Sequence, residues 1–463
     1  MRGPGMALTS AVAVAVIGAS GAACAQSMES MPDMDQPAVP ARGADAPASA
    51  APTPAAPAPD AGMAGMDMGE MGGGGMAMMA GGLGRYGMTR DASGTAWQPD
   101  STPMEGAAWS TGGWMGMVHG SAFGVYNHQG GPRGDTKTYS ASMLMVMAQH
   151  AEGQGTLTLR TMLSLDPAMG AAGYPLLLQT GETADGKTPL VDRQHPHDLF
   201  MELAGVYSRP VGSATSAFLY VGYPGEPALG PATFMHRFSG MDDPAAPITH
   251  HWLDSTHITY GVITAGVVHG AWKVEGSVFK GREPDQHRWN FDRPKLDSWS
   301  GRVSWNPTVD WALQVSYGFI KSPEQLEPGV NQHRVTASAS YNRPIRGGNW
   351  QTTFAWGRNN FSPGPGLNGF LLESAVSLGR HTVFARAEDA DKNELFQAPS
   401  PLAGQTLNVA AFSLGYIYDI PLARHFALGL GGVGSKSVLP AVARPAYGGS
   451  PASFMGFLRL KIR

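Results

Sequence analysis

The chain has 463 residues and a formal net charge of -4, and only 15% of its residues are charged, against about 25% in a typical soluble domain. Mean hydropathy is -0.15, yet no stretch beyond the N-terminus runs to 18 apolar residues, which excludes a helical membrane protein. Without a basic field, nucleic acid is excluded as a partner.

Residues 1–25 read as a secretory signal peptide. Arg2 supplies the positive end, Met6 to Ile17 the apolar core, and Ala23-Cys24-Ala25 a small-x-small cleavage pattern before Gln26. Cys24 is the only cysteine, so its removal leaves a mature chain without a thiol. The competing reading keeps Cys24 as a lipidated first residue, but Gly21 stands where such signals usually carry Leu.

Residues 26–109 are rich in Met, Ala, Pro and Gly and poor in aromatics. Such a stretch buries too little apolar surface to offset its ordering entropy, so a disordered periplasmic arm is expected. Residues 44–61 are nearly all Ala and Pro, a semi-extended spacer. Around it stand Met28, Met31 and Met34, then Met63, Met66, Met68, Met71, Met76, Met78 and Met79. These are ten of the chain's 25 methionines, a local enrichment that marks the arm as a candidate ligand. Thioethers are soft donors that favour Cu(I), and Asp33, Asp35, Asp67 and Glu70 add hard donors suited to Cu(II). The competing reading is a low-complexity linker in which Met has drifted up.

From residue 110 to 463 the hydrophobic period is two. Trp299, Gly301, Val303 and Trp305 alternate with Ser298, Ser300, Arg302 and Ser304, and Leu458, Leu460 and Ile462 with Arg459, Lys461 and Arg463. Sixteen strands are expected, near 115–126, 138–150, 155–165, 198–208, 214–222, 256–268, 271–281 and 297–306 in the first half. The second half follows near 309–320, 332–342, 349–358, 368–379, 381–389, 406–419, 424–436 and 453–463. A sandwich also alternates, so the connections decide. Short ones such as His269-Gly270 and Gly379-Arg380 alternate in strict phase with long ones such as 166–197, 223–255 and 437–452. That is the signature of an all-β fold, a transmembrane antiparallel up-and-down β-barrel in the lipid bilayer of the outer membrane, with both chain ends in the periplasm. Trp299, Trp305, Trp311, Tyr317, Tyr341, Trp350 and Trp356 tend toward strand ends, as aromatic girdles require. Arg463 departs from the aromatic residue on which such barrels commonly end.

Within the barrel the sharpest local signal is Asp192-Arg193-Gln194-His195-Pro196-His197-Asp198. In extended backbone His195 and His197 project to one side, so one metal ion could take both imidazoles. The next long loop adds His236, His250, His251 and His257, so six of 14 histidines gather at one expected external rim. Imidazole and carboxylate suit copper, zinc or nickel. The plainer expectation is that these loop residues fold inward, hydrogen-bond to one another and narrow the pore.

A leader, an acidic Met-x-x-Met arm and a C-terminal barrel together resemble the copper-resistance B-type outer-membrane proteins. The resemblance implies copper handling, with copper ions on the arm methionines. The lumen face of Glu202, Lys273, Glu275, Arg302, Arg334, Glu373, Arg386, Glu388, Arg459 and Lys461 fits either a passage for polar solutes or a salt-bridged interior. A general or substrate-selective porin with no metal role is therefore the alternative. No nucleophile elbow, P-loop or dinucleotide fingerprint is present, so no enzyme and no required cofactor are expected.

Overall fold

The computed structural model describes residues 79–463. The leader with Cys24 and the methionines Met28, Met31, Met34, Met63, Met66, Met68 and Met71 lie outside the described residues.

Nineteen strands form in the described residues. A short β1 (Ala107–Thr111) precedes β2 (Trp114–His128), β3 (Thr136–Glu152) and β4 (Gly155–Leu163). A hairpin of β5 (Tyr174–Thr183) and β6 (Pro189–Gln194) stands apart from the main sheet. There follow β7 (Phe200–Pro210), β8 (Thr215–Gly222), β9 (Val262–His269), β10 (Trp272–Phe279) and β11 (Ser298–Trp305). The series continues with β12 (Trp311–Ile320), β13 (Asn331–Ile345), β14 (Gly348–Ser362) and β15 (Gly366–Leu378). It ends with β16 (His381–Lys392), β17 (Leu407–Ala423), β18 (Phe426–Val438) and β19 (Ala452–Ile462).

Sixteen of these close into one antiparallel barrel, each pairing with its neighbour and β19 returning to β2. Each of the sixteen expected strands corresponds to one of them. The largest boundary difference is at β9, expected from 256 but starting at Val262. Residues Ser255–His257 instead make a single 3-10 turn inside the lumen, and Gly261 at φ +78° turns the chain into the wall. Leu and Val residues from successive strands face outward, among them Val274, Val315, Leu414 and Leu458, each more than half exposed. Aromatics ring this belt. At the short-turn end Trp272 stacks on Trp305 at 4.8 Å, and Trp311, Tyr341 and Trp350 continue the row. At the long-loop end Trp299 meets Tyr317, and Tyr126 meets Phe454. The inward face is buried, and Lys273, Arg302, Arg334, Glu373 and Arg459 are at most 2% exposed.

That burial comes chiefly from two segments that enter the cylinder from opposite ends, with the buried β5–β6 hairpin packed on the wall beside them. Residues 79–106, expected within a disordered arm, are seated against the short-turn end of the lumen. Arg90 donates to Gly270 O, Ser101 N–H to Val309 O, and Asn306 to Asp100. Their Gly-rich composition alone cannot bury a core, but the wall supplies one: Leu83 and Trp97 pack with Val206, Phe218, Tyr220 and Val268. From the long-loop end, residues 223–261 fold inward and are nearly all buried. The segments meet: Thr233 N–H donates to Ser93 Oγ at 2.9 Å, and Arg302 of β11 donates to both Thr95 Oγ1 and Gly230 O. The interior is thus the salt-bridged alternative of the two left open by the lumen charges.

The outward belt sets a direct test of the membrane face. Val315→Arg puts a charge at the middle of β12, where it costs about 2–4 kcal/mol against lipid. Denaturant unfolding in liposomes is expected to register that loss, whereas Val315→Leu leaves stability within about 1 kcal/mol.

Candidate functional site

The inserted loop is held by charge pairs whose halves come from different elements. Arg237 bonds Asp254 of its own loop at 2.7 Å and Glu373 of β15 at 2.6 Å. Arg386 of β16 reaches both Glu373 and the loop's Asp243, and Arg459 of β19 pairs with Asp242. Thr249 donates through its N–H and hydroxyl to Glu388. These groups are fully enclosed, so each charge depends on its partner.

Five of the six histidines singled out at the rim are brought together, in a row inside the lumen, while His236 lies against His119 instead. Ring centroids are 5.8 Å apart for His195 and His251, 5.7 Å for His251 and His250, 5.1 Å for His250 and His257, and 5.2 Å for His257 and His197. His195 and His197 therefore stand at opposite ends of the row, not side by side. Strand β6 ends at Gln194, just before the pair, and each ring finds a different neighbour. Among the described residues no three His, Cys, Asp or Glu side chains are placed to hold one metal ion. The rings do not bond one another either. His197 Nδ1 meets Asp166 at 2.9 Å, His250 Nδ1 meets Asp254 at 2.8 Å, and His257 Nδ1 meets Asp254 O at 2.8 Å. Nε2 of His197, His251 and His257 is buried without a partner.

Burial holds His195, His251 and His257 well below the ordinary imidazole pKa, with neighbouring Arg288, His250 and one another adding to the effect. His250 is also lowered by burial, though Asp254 opposes it. Burial pushes Asp254 up, but Arg237 and His250 outweigh it and hold the carboxylate low. In this row of enclosed imidazoles, carboxylates orient His197 and His250, and a backbone carbonyl orients His257. That arrangement leaves free nitrogens available as hydrogen-bond acceptors or metal ligands.

A second constellation escaped the sequence reading. On β2 the inward positions carry Met115, Met117 and His119, and on β3 Met143, Met145 and Met147. The register sets Met117 opposite Met147, His119 opposite Met145, and Met145 opposite Met162 of β4. The loop adds His236, whose Nε2 lies 3.2 Å from Met162 Sδ, just as His119 Nε2 lies 3.2 Å from Met145 Sδ. The two imidazoles meet edge to face at 5.5 Å. Met79 and Met88 of the N-terminal segment pack with Met117 and Met147 toward the short-turn end. The readable signal was the period-two runs Met-x-Met-x-His and Met-x-Met-x-Met. Met counts as apolar, so these strands showed apolar residues on both faces and nothing set the inner one apart.

No family model matches the chain, and no curated protein matches it in sequence. Among solved structures it is similar to OprB of Pseudomonas putida at high pH, with 9% identity over 76% of this chain and 94% of that one, at TM-score 0.49. It is also similar to OmpF of Salmonella typhi in complex with daunomycin, with 10% identity over 77% of this chain and 100% of that one, at TM-score 0.47. An anion-selective porin from Comamonas acidovorans matches at 12% identity over 75% of this chain and 100% of that one, at TM-score 0.42.

Removing the loop's main anchor isolates its contribution. Arg237→Ala leaves Asp254 buried without its strongest partner, at a cost of about 3–5 kcal/mol to the seated loop. Limited proteolysis is expected to cut within 223–261 in this variant and to spare the parent protein.

Proposed function

We propose that the chain is an outer-membrane, porin-like barrel whose passage is selective and closed at rest, not a general diffusion pore. The observation that carries this reading is the meeting of residues 79–106 and 223–261 inside the cylinder, bonded to each other and to the same wall arginine. Free diffusion through a barrel of this width needs a water-filled lumen. Here a solute passes only if one of the two segments moves. A transition-metal ion, copper above all, is the solute of a second reading. That reading is supported by the row of buried imidazoles with unpartnered Nε2 atoms. The arm methionines would deliver or collect the ion on the periplasmic side.

Conductance in planar bilayers tests the closed state. The parent protein is expected to be nearly silent at neutral pH, and a variant with 226–258 replaced by a short Gly/Ser linker to conduct as an open pore. An open parent channel of the same size as the variant sinks the reading.

The closed state also carries a pH dependence of known sign. His195, His236, His250, His251 and His257 all bind protons more weakly in place than in water. Their release takes up protons, so acid favours it as pH falls below about 6.5, the value for a free imidazole. Glu226 is the opposite case: burial, opposed by Arg302, raises its carboxyl to about 8. Its contribution is present at low pH and is lost as pH rises through about 8. Asp243 of the same loop is likewise raised by burial, and five imidazoles outweigh these two carboxyls on the acid side. Channel openings are thus expected to become frequent between pH 6.5 and 5. A smaller alkaline rise through about 8 is expected to vanish in Glu226→Gln.

A further inference from the structure

We propose that His119, Met145, Met162 and His236 form a binding site for one soft monovalent d10 cation, Cu(I) or Ag(I), held between the barrel wall and the inserted loop. The proposal deepens the metal reading above, on which it rests, by naming an ion class and a site that the histidine row does not include. Three of the four residues lie on one rung of the sheet, His119 opposite Met145 and Met145 opposite Met162. The fourth comes down on them from the loop. Met145, Met162 and His236 are 3%, 1% and 9% exposed, so an ion here is removed from competing water.

The donor set decides the class of ion. Two thioethers and two imidazoles, with no thiolate or carboxylate among them, suit a soft cation and offer little to magnesium, calcium or zinc. Each imidazole nitrogen already lies 3.2 Å from a sulfur. At the bond lengths of tetrahedral zinc, about 2.0–2.1 Å to N and 2.3 Å to S, N and S lie about 3.5 Å apart, and a larger soft cation sets them further apart. The two N–S pairs therefore need to open by about 0.3 Å or more around an ion.

Arg160 and Lys461 line the same space and oppose a cation there, an opposition tempered by their pairing with Glu202 at 3.2 Å and Glu105 at 2.6 Å. Methionine also fills irregular space in ordinary cores, and that reading explains the burial. An imidazole N–H donating to each sulfur accounts for the two close N–S distances, but neither reading explains why two such pairs converge from the wall and the loop. Nor does either explain why comparable inward positions elsewhere on the wall carry Ser277, Ser300, Ser304, Ser316 and Thr336. The thioether cluster of Met79, Met88, Met117 and Met147 adjoins the site on its short-turn side and provides softer, sulfur-only contacts for an ion arriving from the arm.

The test uses the full chain folded in detergent, with Ag(I) as the redox-stable probe, Cu(I) under anaerobic reducing conditions, and Zn(II) as the contrast. The parent is compared with a Met145→Leu, Met162→Leu double variant, which keeps side-chain volume and every arm methionine. The expected result is one Ag(I) or Cu(I) equivalent fewer in the variant, or at least tenfold weaker binding of that equivalent, with Zn(II) unaffected. Equal stoichiometry and affinity in a variant that keeps the folded gel mobility of the parent overturns the proposal. Should the variant fail to fold, anomalous diffraction from Ag(I)-soaked parent crystals decides. A peak among the four side chains supports the site, and no peak there overturns it. If Zn(II) or Cu(II) binds at the histidine row while this site stays empty, the site falls and the metal reading survives. If no metal binds anywhere within the barrel, both fall.

Discussion

A cylinder of sixteen strands encloses more space than its own side chains can fill, and this chain lines that space with charge. Arg302, Arg334, Arg386, Arg459, Glu275 and Glu373 face inward from the wall, where an unpaired charge is costly once water is removed. Part of that charge is paired within the wall, Glu275 with Arg302 and Lys273, and the two lumenal segments supply partners for much of the rest. Arg237 sits on Glu373, Asp243 on Arg386 and Asp242 on Arg459, while backbone oxygens of Thr95 and Gly230 satisfy Lys273 and Arg302. Wall and filling are therefore one electrostatic unit, and neither is complete without the other.

The filling is also matched side by side to the wall. From β10 to β16 the lumen face is rich in hydroxyls, guanidinium groups and carboxylates, and there the loop presents Arg237, Asp243 and Thr249, whereas β17 to β19 contribute Ile417, Val433, Met455 and Phe457 to an apolar cluster. On β2 to β4 the inward residues include thioethers and an imidazole, and there the loop presents Met235, His236 and Met241. A loop that merely plugged a hole would need no such correspondence. The division separates anchoring on one side from soft-donor chemistry on the other.

The sixteen strands were legible because each must satisfy lipid outside and polar groups inside, and that demand is written into every second residue. The alternation of tight and extended connections was legible for the same reason, since only one end of the barrel lies where long loops can grow. Where those loops go was legible only in part. The histidines of 223–255 were expected to fold inward and narrow the pore, but the depth of that loop, and the seating of 79–106, which read as part of an arm, depend on partners more than a hundred residues away: Thr95 on Arg302, Thr249 on Glu388. The histidines were found and their gathering anticipated, but not their order, since His195 and His197 diverge as soon as β6 ends. The inward methionines were hidden by their hydropathy, which is that of a lipid-facing residue.

The seam of the barrel has a consequence for biogenesis. β19 pairs with β2 only along Gly120–His128, and the short β1 hairpin covers the rest of that strand from Trp114 to Val118. The edge of β2 is thus shared by residues from both ends of the described chain, separated by more than three hundred positions. Until β19 is in place, β2 has an unsatisfied edge open to self-association. A copy that loses β19 therefore becomes not a slightly smaller barrel but an open, sticky sheet.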